Sequence, residues 1–107
     1  MTITGNFIGG KTVTSSSNET MPVYDPATGK VVREVTLSTA QEVSDAIQVA
    51  RDAFESWSRT TPLRRARVLF NFKMLLEQHA EELAGIIVSE HGKVWSDALG
   101  ELTRGLE

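Results

Sequence analysis

The sequence predicts an α+β fold, with β-hairpins over residues 1–37 followed by three or four amphipathic helices over residues 38–107. Two patterns carry this prediction. Up to Leu37 short β-favouring runs are punctuated by glycine, proline and serine, and from Ser38 apolar residues recur at spacings of three and four. Size sets a third bound: a chain of 107 residues holds at most one core, burying roughly 60–70% of its unfolded surface.

The first hairpin is Asn6-Phe7-Ile8 and Lys11-Thr12-Val13-Thr14, joined by Gly9-Gly10, a dipeptide suited to the tight turns that match strand twist. Ser15-Ser16-Ser17-Asn18-Glu19 is a polar loop. Met21-Pro22-Val23-Tyr24 then reads as an edge strand, because proline cannot donate to a ladder on both sides. The turn Asp25-Pro26-Ala27-Thr28-Gly29 has proline at its first central position. After it Lys30-Val31-Val32-Arg33-Glu34-Val35 resumes strand character.

At the switch of period, Ser38 and Thr39 can cap a helix, with Gln41 and Glu42 three residues on as capping-box partners. Val43, Ala46, Ile47, Ala50, Phe54 and Trp57 form the stripe this helix is expected to bury. Pro62 suits the first turn of a second helix running through Glu77. Its apolar residues Leu63, Ala66, Leu69, Phe70, Phe72, Leu75 and Leu76 make a face wide enough for more than one neighbour. A third segment, Ala80 to Glu90, is either a new helix or the same one bent, with Leu83, Ala84, Ile87 and Val88 inward and Gly92 as its C-terminal cap. The last helix is expected to begin at about Ser96 as N-cap, with Asp97 in its first turn and Ala98, Leu99, Leu102 and Leu106 on one side.

Composition excludes several classes. A net charge of -3 and a pI near 5.4 supply no general attraction to nucleic acid or anionic lipid. The absence of cysteine removes disulfides, thiolate metal ligands and thiol nucleophiles. No basic segment followed by an apolar core opens the chain, and no apolar run nears the roughly 18 residues of a membrane span. The expected location is therefore cytoplasmic.

Few residues carry chemistry. Arg104 is the leading candidate, since its planar fork can hold a carboxylate through two parallel hydrogen bonds. The bland alternative is a helix-surface pair with Glu101 or Glu107, each three residues away. Arg64, Arg65 and Arg67 are too few, and too interspersed with apolar positions, for a nucleic-acid surface. His79 and His91 lack a third ligand in a fixed pattern, so no metal is expected. Trp57 and Trp95 are expected to be packing anchors. No GxGxxG loop, P-loop or serine elbow is present.

The opening Asn6-Phe7-Ile8-Gly9-Gly10-Lys11, the Asp25 to Gly29 turn, the capped helix and Glu90-His91-Gly92-Lys93 occur in an order that resembles the N-terminal part of aldehyde dehydrogenases. Two further stretches, Arg64 to Lys73 and Asp97 to Glu107, narrow the resemblance to CoA-acylating methylmalonate-semialdehyde dehydrogenases. It implies that residues 1–107 form the N-terminal part of an α/β NAD-binding domain. The parent enzyme would oxidise malonate and methylmalonate semialdehydes with NAD and pass the acyl group to CoA. Its nucleophilic cysteine has no counterpart here, so the resemblance assigns this chain no catalytic and no cofactor-binding residue, and neither NAD nor CoA is expected to bind it alone. The pattern Gly100-Glu101-Leu102-Thr103-Arg104-Gly105 makes Arg104 the binder of the substrate carboxylate.

Because the last helix ends without a stop signal, the chain is expected to be a truncated or proteolysed piece, inactive by itself. Apolar faces around Phe70, Leu76 and Ile87 should then be uncovered and favour a homo-oligomer or the remainder of the enzyme as partner. A free-standing, noncatalytic helical interaction module is the alternative. A small DNA-binding helical protein rests only on the arginine cluster.

Overall fold

The computed structural model describes residues 1–107, which divide into two compact units. The first comprises Met1–Val23 and Val31–Thr60; the second comprises Tyr24–Lys30 and Thr61–Glu107.

In the first unit, β2 (Asn6–Ile8) and β3 (Lys11–Val13) pair antiparallel in the register Phe7 to Thr12. Gly9 and Gly10 both take positive φ, 61° and 79°, as a two-residue hairpin turn of this twist requires. A separate three-stranded sheet has the order β1 (Ile3–Thr4), β5 (Lys30–Thr36), β4 (Thr20–Asp25). Pro22 thus lies on an edge strand, as its missing N–H demands. Strand β1 runs parallel to β5, with Ile3 opposite Glu34, a pairing the sequence does not announce because a two-residue strand has no period to detect.

Helix α1 (Ala40–Trp57) begins with the expected capping box. The Glu42 N–H donates to Thr39 Oγ1 at 3.2 Å and the Thr39 N–H donates to Glu42 Oε2 at 2.9 Å. Ser38 is drawn outside the cap, accepting from Asn6 Nδ2 at 2.8 Å. The expected burial of the α1 stripe does not hold: Val43, Ile47, Phe54 and Trp57 are 50, 65, 63 and 41% exposed. A helix of 18 residues outreaches a hairpin with three residues per strand. Phe7, Ile8, Val43, Ala46, Ile47 and Ala50 accordingly line an open groove of about 380 Å³.

The second unit contains the tip of the β4–β5 connection and helices α2 (Pro62–Gln78), α3 (Ala80–His91) and α4 (Trp95–Leu106). In the tip, Asp25 Oδ1 accepts from the Ala27 N–H at 2.8 Å and the Asp25 carbonyl accepts from the Gly29 N–H at 2.8 Å. Thr61 caps α2, and Pro62 occupies its first turn. His79 joins α2 to α3 at φ -104°: its N–H donates to Leu75 O and its carbonyl accepts from the Leu83 N–H, both at 3.0 Å. The chain therefore bends there with little loss of backbone bonding.

Gly92 ends α3 in the left-handed conformation, φ 72°, with its N–H on the Val88 carbonyl at 3.0 Å. Helices α3 and α4 make the most extensive helix contact, and each supplies one fully buried residue, Ala84 and Ala98. Such small side chains let two backbones approach closely. Ser96 is not the N-cap of α4: Val94 holds that position in an extended conformation, without a side-chain cap, and Ser96 lies inside the first turn beside Asp97. The dipole at this end is complemented by Asp97 in place of a hydroxyl cap.

Exposure departs from expectation in two further places. Trp57 and Trp95 are 41 and 47% exposed, so neither anchors a core. Along α2, Leu63, Leu69, Phe70 and Phe72 are exposed, Phe70 by 69%, whereas Leu76 and Ile87 are half-buried. The uncovered face is real at Phe70 and only partial at Leu76 and Ile87. No helix is long and apolar enough to cross a membrane.

Candidate functional site

The candidate residues lie along α4, against which Lys93, directly after the left-handed Gly92, lays its side chain. Lys93 Nζ donates to Glu101 Oε1 at 2.5 Å, with the two side chains 27 and 39% exposed. This pair spans eight residues and joins a residue outside α4 to one inside it. Lys93 lies just before the N-cap Val94, so the period of α4 does not point to it, and in the sequence its segment reads only as a helix end and a turn.

Glu101 is held below the usual carboxylate range, first by the Lys93 hydrogen bond, against partial desolvation, and then by the charges of Lys93, His91 and Arg104. One carboxylate therefore sits among two permanent cations and a histidine. With Glu101 committed to Lys93, Arg104 is left without an ion-pair partner.

Arg104 lies in the last turn of α4, where a cation complements the helix dipole. It is exposed and makes neither of the pairs that spacing allowed: its guanidinium meets neither Glu101 nor Glu107. The side chain folds back along the helix, with Nη1 3.5 Å from the point a Cβ on Gly100 would occupy. A forked cation with no ion-pair partner is equipped to take a carboxylate through two charge-assisted hydrogen bonds.

The remaining candidates form no second site. His79 Nδ1 lies 3.0 Å from Glu82 Oε2, both side chains exposed, and no cluster of three or more potential metal ligands forms. Arg64 and Arg67 are exposed, while Arg65 is half-buried with its Nε lacking a hydrogen-bond partner. In the other unit, Glu42 is the most strongly perturbed acid, lowered to about 2 by the Ser16 N–H, the Ser15 hydroxyl, the Thr39 N–H and the Ser16 hydroxyl. Its contacts, 2.7 Å from both Ser15 Oγ and the Ser16 N–H, tie the serine loop to the start of α1. That is a structural role.

Residues 12–107 match the sequence profile of the aldehyde dehydrogenase family. The chain is 46% identical over 106 residues to malonate-semialdehyde dehydrogenase 1 of Geobacillus kaustophilus (strain HTA426), covering 99% of this chain and 22% of that one. Among solved structures, the methylmalonate-semialdehyde dehydrogenase of Oceanimonas doudoroffii superposes with a TM-score of 0.94 at 45% identity, covering 99% of this chain and 22% of that one. A protein of Sinorhizobium meliloti 1021 assigned as a methylmalonate-semialdehyde dehydrogenase, in complex with NAD, superposes with a TM-score of 0.95 at 40% identity and the same coverage. The chain spans about a fifth of the length of the relatives it matches.

Proposed function

The chain belongs to the aldehyde dehydrogenase family, and from that premise we propose that it is the amino-terminal portion of an NAD-dependent, CoA-acylating malonate- or methylmalonate-semialdehyde dehydrogenase. Residues 1–107 contribute outer helices and strand pairs to the NAD-binding domain of that enzyme and are inactive alone. The observation that carries this reading is the unpaired Arg104 at the end of α4, in a chain whose named relatives act on semialdehydes of dicarboxylic acids. Such substrates bear a carboxylate at the end opposite the aldehyde.

The chain's own contribution is binding and orientation. Arg104 donates two hydrogen bonds to the substrate carboxylate and so fixes that end of the molecule. A rigid helix suits this, because orientation is worth having only if the anchor does not move. NAD supplies hydride acceptance when bound, but no helix here is opened by a glycine-rich phosphate loop. The segments before α1, α2 and α4 end in Ser38-Thr39, Thr60-Thr61 and Lys93-Val94. No step of NAD or CoA chemistry is therefore assigned to this chain.

A full-length gene product carrying these residues should reduce NAD with malonate semialdehyde in a CoA-dependent manner, and the 107-residue chain should not. Turnover by the short chain that survives repurification would contradict the proposal, as would a full-length product inert towards semialdehydes.

A second reading, a noncatalytic module that self-associates, is favoured by one observation. Leu69, Phe70, Phe72 and Leu106 line an open apolar groove of about 480 Å³ in the second unit. Light scattering tests the module: a monomeric short chain removes it.

A further inference from the structure

On a helix, a glutamate and an arginine three residues apart are natural partners, so Glu101 should neutralise Arg104. It does not, because its carboxylate is taken by Lys93. Resting on the reading of Arg104 as the carboxylate binder, we propose that Lys93 is a positioning residue that sequesters Glu101 and so keeps the Arg104 guanidinium available to an anionic substrate.

Three features of the geometry carry this. Lys93 directly follows the left-handed C-cap Gly92, so its backbone is fixed by a helix end and not by a mobile loop. The Lys93 and Glu101 side chains are 27 and 39% exposed, against 49% or more on each side of the Arg59–Glu55, Lys73–Glu77 and His79–Glu82 pairs. The arginine meanwhile lies over Gly100 with no hydrogen bond of its own. The division of labour follows side-chain chemistry. An ammonium is a compact point charge that satisfies one carboxylate oxygen, while the guanidinium fork is reserved for bidentate recognition.

Without Lys93, Glu101 would compete with substrate for Arg104. A helix-surface pair of ordinary strength would leave Arg104 unpaired about a third of the time and raise the apparent KM about 3-fold.

The test uses the full-length enzyme with malonate semialdehyde and with propanal, which lacks the carboxylate. Lys93→Met should raise KM for the semialdehyde about 3-fold with kcat and the propanal kinetics unchanged. Lys93→Met/Glu101→Gln should restore KM, and Lys93→Arg should stay near wild type. Equal losses on both aldehydes, or no rescue by Glu101→Gln, would mean that Lys93 merely supports the fold and would overturn the proposal. Arg104→Ala separates the two levels: if it leaves the semialdehyde KM unchanged, the carboxylate reading itself falls. If it raises KM while Lys93→Met does nothing, only the role of Lys93 falls. In the 107-residue chain, Lys93→Met should also shift the Arg104 Nε–Hε NMR resonance, and adding Glu101→Gln should reverse the shift. An unmoved resonance would count against the competition.

Discussion

At the scale of single residues, the two perturbed carboxylates illustrate how little of side-chain chemistry is readable from spacing. Glu42 was legible as a capping-box acid, because the box is a local pattern. Its second task was not, since Ser15 and Ser16 reach it from 27 and 26 residues away. Those donors lower its pKa from 4.5 to about 2. The folded state therefore binds this proton less readily than the unfolded chain, so the stability Glu42 contributes is complete above pH 4.5 and is lost as pH falls towards 2. The urea midpoint should accordingly drop between pH 7 and pH 3, and Glu42→Gln should flatten part of that drop. An unchanged slope in the variant would show that the serine loop does not hold the carboxylate in solution. Thr39→Ala removes the reciprocal half of the cap and should cost about 1 kcal/mol at pH 7, read by chemical unfolding. Arg104 was legible as a candidate but not as a cation without an ion-pair partner, because Lys93, which takes Glu101, lies outside the helix before its N-cap.

Elements were the most legible level, since helices and strands follow local periods and local punctuation. The expected cap of α1 at Ser38–Thr39 stands at Thr39, and the expected places of Pro62 in the first turn of α2 and Gly92 at the end of α3 stand as well. The start of α4 was displaced because Ser96 looked like a cap while Val94 already had the extended backbone a cap position needs. Burial was the least legible, since an apolar stripe announces a helix face without saying what covers it. The glycines allow a quantitative check. Gly29 and Gly92 have nearly the same φ, 69° and 72°, but a Cβ at 29 would meet nothing within 4 Å, whereas one at 92 would lie 3.2 Å from Pro26 Cβ. Gly29→Ala should therefore show only the left-handed penalty of about 1–2 kcal/mol, and Gly92→Ala should exceed it by the cost of moving the Pro26 ring. Thermal unfolding resolves this, at roughly 4–8 °C for each kcal/mol in a domain of this size. Equal losses at the two positions would mean that the turn tip does not pack on the end of α3.

For the whole molecule, the contrast between an aldehyde dehydrogenase profile over residues 12–107 and only two fully buried residues is the governing fact. A chain that leaves Phe7, Ile47, Phe54, Leu69, Phe70 and Phe72 more than half exposed presents apolar surface that other protein normally covers. Replacing Phe70, 69% exposed, with Ser should change the stability of the short chain by no more than about 0.5 kcal/mol while reducing binding of a hydrophobic dye. A large loss of stability would show that this face is already packed in solution. The resemblance that named the family came from ordered local motifs, whereas the free state of Arg104 came only from the three-dimensional arrangement. Both converge on a single expectation, that Arg104 reads the carboxylate of a semialdehyde. The measurement that tests it most directly is the steady-state kinetics of Arg104→Ala in the full-length enzyme, with malonate semialdehyde and propanal compared side by side. Loss of a charged, bidentate contact should raise the semialdehyde KM by about 10- to 100-fold and leave propanal unaffected. An unchanged semialdehyde KM, or equal losses on both substrates, would contradict the account.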